Sequence, residues 1–147
     1  MTTRVAVVLS PTVSVQVFAQ PLIAAGDYAG FKELARPRSF DFTEYGTTLG
    51  TISRNAAEKE YTVDPGGARA AAPFTFDDPD FGLRSLKVNA VFRWEMKPGS
   101  TFYAVWTRQQ QDTNYPGTYS LSRDTKRMFG APGDDVFLVK MAYWIGR

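Results

Sequence analysis

The stretch Leu86 to Met96 reads LKVNAVFRWEM and changes polarity at almost every step. Val88, Ala90, Phe92, Trp94 and Met96 fall on one parity, and Lys87, Asn89, Val91, Arg93 and Glu95 on the other. A period of two is that of a β-strand, so one set of side chains meets an apolar environment and the other meets water. About ten residues of this kind are what a tilted strand needs to cross a bilayer, and the same pattern serves a half-buried strand of a water-soluble sheet. The alternation limits the chain to antiparallel β architecture and leaves the solvent of the apolar face open.

The same period recurs elsewhere. Val5, Val7 and Leu9 mark a first strand, Ser10-Pro11-Thr12 a turn, and Val13, Val15, Val17 and Ala19 a second strand. After the third strand, Lys97-Pro98-Gly99-Ser100 predicts a tight turn, Thr101 to Gln111 a fourth strand, and VFLVKMAYWIGR, Val136 to Arg147, a closing strand. The segment from about Arg36 to Asp80 is polar and rich in Gly and Pro. It is longer than a compact domain leaves without structure, unless it is functional or holds short hairpins of its own. FKELARPRSF predicts a brief helical turn before Pro37, and Asp112 to Asp135 a second polar loop. The reading is one β region over residues 1–147: all-β, an antiparallel β-meander of about five main strands with long loops, part of an outer-membrane-type β-barrel. Short connections after strands one and three, with long ones after two and four, match the turns and loops of such barrels. Lys87, Asn89, Arg93 and Glu95 are then expected to face a wet lumen, and Val88, Ala90, Phe92 and Trp94 to face lipid. Phe92, Trp94, Tyr143 and Trp144 are the candidates for interfacial aromatic girdles, with Phe102 and Tyr103 nearby.

Composition removes other classes. With 44% hydrophobic and 22% charged residues the chain is not disordered. Seventeen basic residues are spread among fifteen acidic ones for a net charge of +2, so no nucleic-acid footprint exists. The chain has no Cys and no His, which excludes disulfides, the usual zinc sites, thiol nucleophiles and histidine bases. GDYAGF and DPGGAR lack the strand-loop-helix context and the Lys of a phosphate cradle. No catalytic constellation and no cofactor or metal site emerges, and the expectation is a protein that is not an enzyme. The first 22 residues form neither a membrane helix nor a signal peptide, so an export signal is expected upstream. Asp77, Asp78 and Asp80 in FDDPDF suit a turn better than a calcium loop, and Asp134 and Asp135 suit loop solvation. Arg93 with Glu95 on one strand face offers a lumenal ion pair or a selectivity element, and ordinary polar lining is the favoured reading. Trp94, Trp106 and Trp144 suit packing or membrane anchoring ahead of sugar stacking.

Three stretches carry a family likeness: SPTVSVQVFAQPLIAAGDYAGFKEL, FTFDDPDFGLRSLKVNAVFRWEMKPGSTFYAVW and the terminal DDVFLVKMAYWIGR. In order and spacing the chain resembles the end of large bacterial proteins of uncharacterised function. These carry an N-terminal module similar to carbohydrate-binding family 9 and a C-terminal outer-membrane β-barrel. The resemblance is specific in the RWE-x-x-PGS hairpin and the closing strand, and weakest in Thr47 to Ala72. It implies the last strands of a larger barrel in the bacterial outer membrane. The partners it implies are the lipid bilayer, the remaining barrel strands or other copies of the chain, and, by analogy, glycans that are bound or transported. The alternative is a soluble β-sheet module that holds a small apolar ligand between its aromatic face and a loop.

Overall fold

The computed structural model describes residues 1–66, 71–114 and 117–146. Part of DPGGAR, part of the second polar loop and the last residue of the closing strand, Arg147, lie outside these residues. In chain order the elements are β1 (Thr3–Ser10), β2 (Val13–Gly26), β3 (Lys32–Leu34), β4 (Phe42–Glu44), β5 (Thr51–Asn55), β6 (Glu60–Asp64), β7 (Phe74–Asp77), β8 (Phe81–Lys97), β9 (Ser100–Asp112), α1 (Leu121–Gly130) and β10 (Gly133–Ala142). The chain is all-β with antiparallel sheets and one short helix. It divides into two units, Met1–Ala25 with Phe81–Arg147, and Gly26–Asp80.

The first unit is a five-stranded sheet in the order β1-β2-β8-β9-β10. These are the five strands expected from alternation. β1 and β2 pair through Val5↔Val17 and Val7↔Val15, and β8 and β9 through Asn89↔Thr107 and Arg93↔Tyr103. β10 follows β9 through Phe137↔Trp106 and Val139↔Ala104. β2 starts where β8 ends, because the Glu95 amide donates to the Thr12 carbonyl at 2.8 Å. A bulge between Glu95 and Lys97 adds one residue to the β8 side of the hairpin. Lys97↔Ser100 around Pro98-Gly99 sets one register, and the bulge moves every pair behind it by one residue. Arg93 therefore faces Tyr103 instead of Ala104.

Several boundaries differ from the sequence reading. β8 begins at Phe81, five residues ahead of Leu86, and β10 begins at Gly133 and stops before Tyr143. The second long connection holds α1 where a polar loop was expected. The helical turn expected in FKELARPRSF is replaced by β3, since Glu33 pairs with Thr43 and accepts a hydrogen bond from the Tyr45 hydroxyl at 2.8 Å.

The second unit gives the first long connection its structure. β3 and β4 form a hairpin, and β5, β6 and β7 a three-stranded sheet. Its apolar centre is Val63, fully buried, with the rings of Phe31, Tyr61 and Phe76 at centroid distances of 4.9 to 5.3 Å. Gly50 has φ +53°, and a Cβ there would lie 1.9 Å from the Asp64 carbonyl oxygen. Gly50→Ala is expected to destabilise this unit by more than about 1 kcal/mol, because both the backbone conformation and the contact oppose a side chain. Faster hydrogen exchange across β5 and β6, with β8 and β9 unchanged, is the result that checks it.

Candidate functional site: a two-faced sheet

Register assigns every side chain of β8, β9 and β10 to one of two faces. The odd positions of β8 share a face with the odd positions of β9, and the even positions share the other. Lys87, Asn89, Arg93 and Glu95 lie together on the first face, opposite Gln109, Thr107, Tyr103 and Thr101. The Asn89 amide donates to Thr107 Oγ1 at 2.9 Å. The Arg93 guanidinium donates to Tyr103 Oη at 3.3 Å and to Glu95 Oε2 at 3.0 Å. Arg93 and Glu95 form an ion pair, with Tyr103 as a third member. Arg4 donates to Gln16 at 3.2 Å, and these two border a hollow with Asn89 and Val91. Val91, Val105 and Leu138 form one apolar row within this otherwise polar face.

The second face is apolar over three successive rows: Trp94, Phe102 and Met141; Phe92, Ala104 and Val139; Ala90, Trp106 and Phe137. Phe92 and Phe102 meet edge to face at 6.5 Å. A shallow hollow of about 250 Å³ lies at the two rows of Phe92 and Ala90, beside Val15. The next row sets Val88 beside the charged pair Arg108 and Asp135. Asp135 accepts from Arg108 at 2.7 Å and from the Trp106 indole N–H at 2.8 Å, so a Trp expected to pack or anchor also closes a polar row.

The two ends of the sheet differ. At the turn end the Trp144 amide donates to Ser100 Oγ at 2.9 Å, and the Lys97 ammonium donates to Tyr143 Oη at 2.6 Å and lies 4.0 Å from that ring's centroid. Trp94, Tyr143 and Trp144 are thus gathered at one end, each with an exposed ring. Phe92 lies one row further in. At the other end α1 packs on β8 and β9. Arg84 donates from Nε to Asp124 Oδ1 at 2.9 Å and from Nη1 to the Asn114 carbonyl at 2.5 Å. Its Nη2 is 2.9 Å from the same carboxylate as an ion pair but makes no hydrogen bond among the described residues. Arg123 adds a bond to Asp124 at 3.0 Å and one to the Thr118 carbonyl, and Gln110 donates to the Met128 carbonyl at 2.5 Å. Burial pushes the Asp124 carboxyl up, but the Ser120 amide, Arg123 and Arg84 outweigh it and hold the group down at about 2. The sequence reading missed this cluster, because a buried carboxylate at a helix's core position looks like loop polarity.

Two of the three FDDPDF carboxylates, Asp78 and Asp80, are held by the protein itself. Asp78 accepts from Arg54 Nε at 2.9 Å and its Oδ1 from the Asp80 amide at 3.1 Å, while Asp80 accepts from the Tyr28 amide at 2.7 Å. That is the turn-forming role. Among the described residues no group of three or more Asp, Glu, His or Cys is placed to hold a metal ion. No helix is long and apolar enough to cross a membrane, which says nothing about strands.

No curated protein and no solved structure matches the chain. Residues 51–146, about two thirds of the chain and including β8, β9, α1 and β10, match a family described as a domain of unknown function, DUF5916. Since that match spans more than half of the sequence, the chain belongs to the uncharacterised family DUF5916.

Proposed function

We propose that this chain forms the C-terminal strands of a bacterial outer-membrane β-barrel, with its apolar face against lipid and Lys87, Asn89, Arg93 and Glu95 lining a wet interior. Its role in this reading is non-catalytic and concerns glycan-related binding or transport, the glycan component resting on the resemblance to proteins with a carbohydrate-binding family 9-like module. The observation that carries the membrane component is β10. All ten of its residues are exposed, Phe137 at 75% and Val139 at 66%, and no strand pairs with its outer edge among the described residues. In water such an edge is a template for aggregation, whereas in a barrel the edge is paired and the apolar row meets acyl chains. The turn-end aromatics then sit where headgroups begin. β8, at seventeen residues, exceeds the roughly 9–11 a crossing requires, so its first part projects beyond the bilayer and carries α1.

The soluble alternative draws no comparable support: its apolar hollow of about 250 Å³ is open and below the usual size of a small-molecule site, about 300–1,000 Å³. The test is depth-resolved quenching of Trp94, Trp106 and Trp144 fluorescence by brominated lipids in membranes that contain the protein. The expected result is quenching by the lipid and protection from aqueous iodide. A monodisperse monomer in detergent-free buffer, melting cooperatively with its tryptophans open to iodide, is the result that favours the soluble module instead.

A further inference from the structure

A cavity of about 670 Å³ lies between α1 and the segment that leaves β9. Three cations border it from one side of the helix, Arg123, Lys126 and Arg127, at the i, i+3 and i+4 spacing that stacks side chains together. One carboxylate, Asp112, borders it too, and that group already accepts the Asn114 amide at 2.9 Å. Like charges at helical spacing repel, so this arrangement is relieved by a bound anion. The cluster behind it adds to the excess: Arg84 and Arg123 share the single carboxylate Asp124, and Arg84, 1% exposed, keeps one Nη2 without a hydrogen bond among the described residues. Lys126 is exposed on the helix.

The position of the cavity points to the kind of anion. Arg84 and Gln110, which hold α1, are on the same parity as Phe92 and Ala104, so the helix lies on the apolar side of the sheet. Between the apolar rows and the helix stands only the charged Arg108–Asp135 row and the one that holds Leu86 and Gln110. We propose that this cavity is a phosphate site at the rim of the apolar face, and that the phosphate it takes is the headgroup of an anionic lipid. Arg123 is held through Nε and Nη2 by Asp124 and the Thr118 carbonyl, and its fixed positive charge beside the Lys126 ammonium suits phosphate oxygens. The lipid source rests on the membrane reading; the phosphate site itself does not.

The probes are inorganic phosphate, glycerol phosphate and dihexanoyl phosphatidylglycerol kept below its micelle concentration, titrated against the full chain in neutral detergent by calorimetry. The expected order places phosphatidylglycerol tightest. Lys126→Glu is expected to weaken it by at least roughly tenfold, as loss of a charge-assisted contact does. Lys126→Arg retains binding, and Lys140→Glu, on β10, leaves it unchanged. Equal affinity for the lipid and for glycerol phosphate overturns the lipid source. No saturable binding of any probe, or equal weakening by Lys140→Glu, overturns the site. Because the probe lipid is monomeric, binding is read whether or not the chain enters a bilayer, so failure of membrane insertion with the binding intact counts against the membrane reading alone.

Discussion

Asp124→Ala is expected to destabilise the first unit by about 3–5 kcal/mol, the cost of removing one partner from a buried ion pair and leaving the other charge uncompensated. Asp124 is fully buried, Arg84 is 1% exposed, and Asp124 is the one carboxylate that both Arg84 and Arg123 reach. Without it, the Asn114 carbonyl is the hydrogen-bond partner Arg84 keeps among the described residues. The pH dependence follows from the same contacts. The folded carboxyl is held at about 2 against an ordinary 3.8, so its stabilisation is fully present above pH 3.8. It fades as pH falls from there, and it is gone once pH has passed below the folded value. Denaturant midpoints measured between pH 2 and pH 7 on the intact chain and on Asp124→Asn check both parts. A variant whose stability and acid sensitivity equal those of the unaltered chain refutes the assignment.

The second large effect concerns the two parities of β8. Ala90 sits between Trp106 and the row of Phe92 on the apolar face, whereas Asn89 faces Thr107 on the polar one. In the proposed barrel, Ala90→Arg is expected to cost about 2–4 kcal/mol of insertion free energy for a charge near the bilayer midplane, and Asn89→Arg close to nothing beyond its lost hydrogen bond. Heat-modifiable gel mobility of both variants in membrane fractions measures this. Equal assembly of the two removes the assignment of lipid to the apolar face.

How much of this was legible follows from how each element buries its surface. The five-stranded meander announces itself because Val13, Val15 and Val17, and Val88 to Trp94, repeat at the period of a strand, and the side on which Lys87, Asn89, Arg93 and Glu95 lie follows from parity alone. Their partners do not. Pairing of Arg93 with Tyr103 depends on the bulge before Lys97, and nothing in the composition of EMKPGS distinguishes the two registers. The first five residues of β8 were hidden because its buried positions there are Gly82, Arg84 and Ser85, with Arg84 held by Asp124 of α1, so apolar alternation is absent. α1 was hidden for the same reason: its buried side is Asp124 and Met128, while Leu121 and Phe129 are exposed, the reverse of an amphipathic helix packed on a hydrophobic core. The small sheets of the second unit are three to five residues per strand, too short for a period to show.

The sheet has an odd number of strands, and that parity fixes how its two open edges relate. β1 and β10, with three strands between them and every neighbour antiparallel, run in the same direction. A second copy added head to tail would therefore meet β10 with a parallel β1, a pairing foreign to an all-antiparallel wall. A copy joined edge to like edge by a twofold axis would restore antiparallel pairing, but it would point its α1 to the opposite end of the cylinder and so to the opposite side of any membrane. Identical chains thus have no way to close a ring that is both antiparallel and single-sided. If the proposed barrel is right, closing it on those terms takes an odd number of strands of different sequence, paired with β1 at one edge and with β10 at the other.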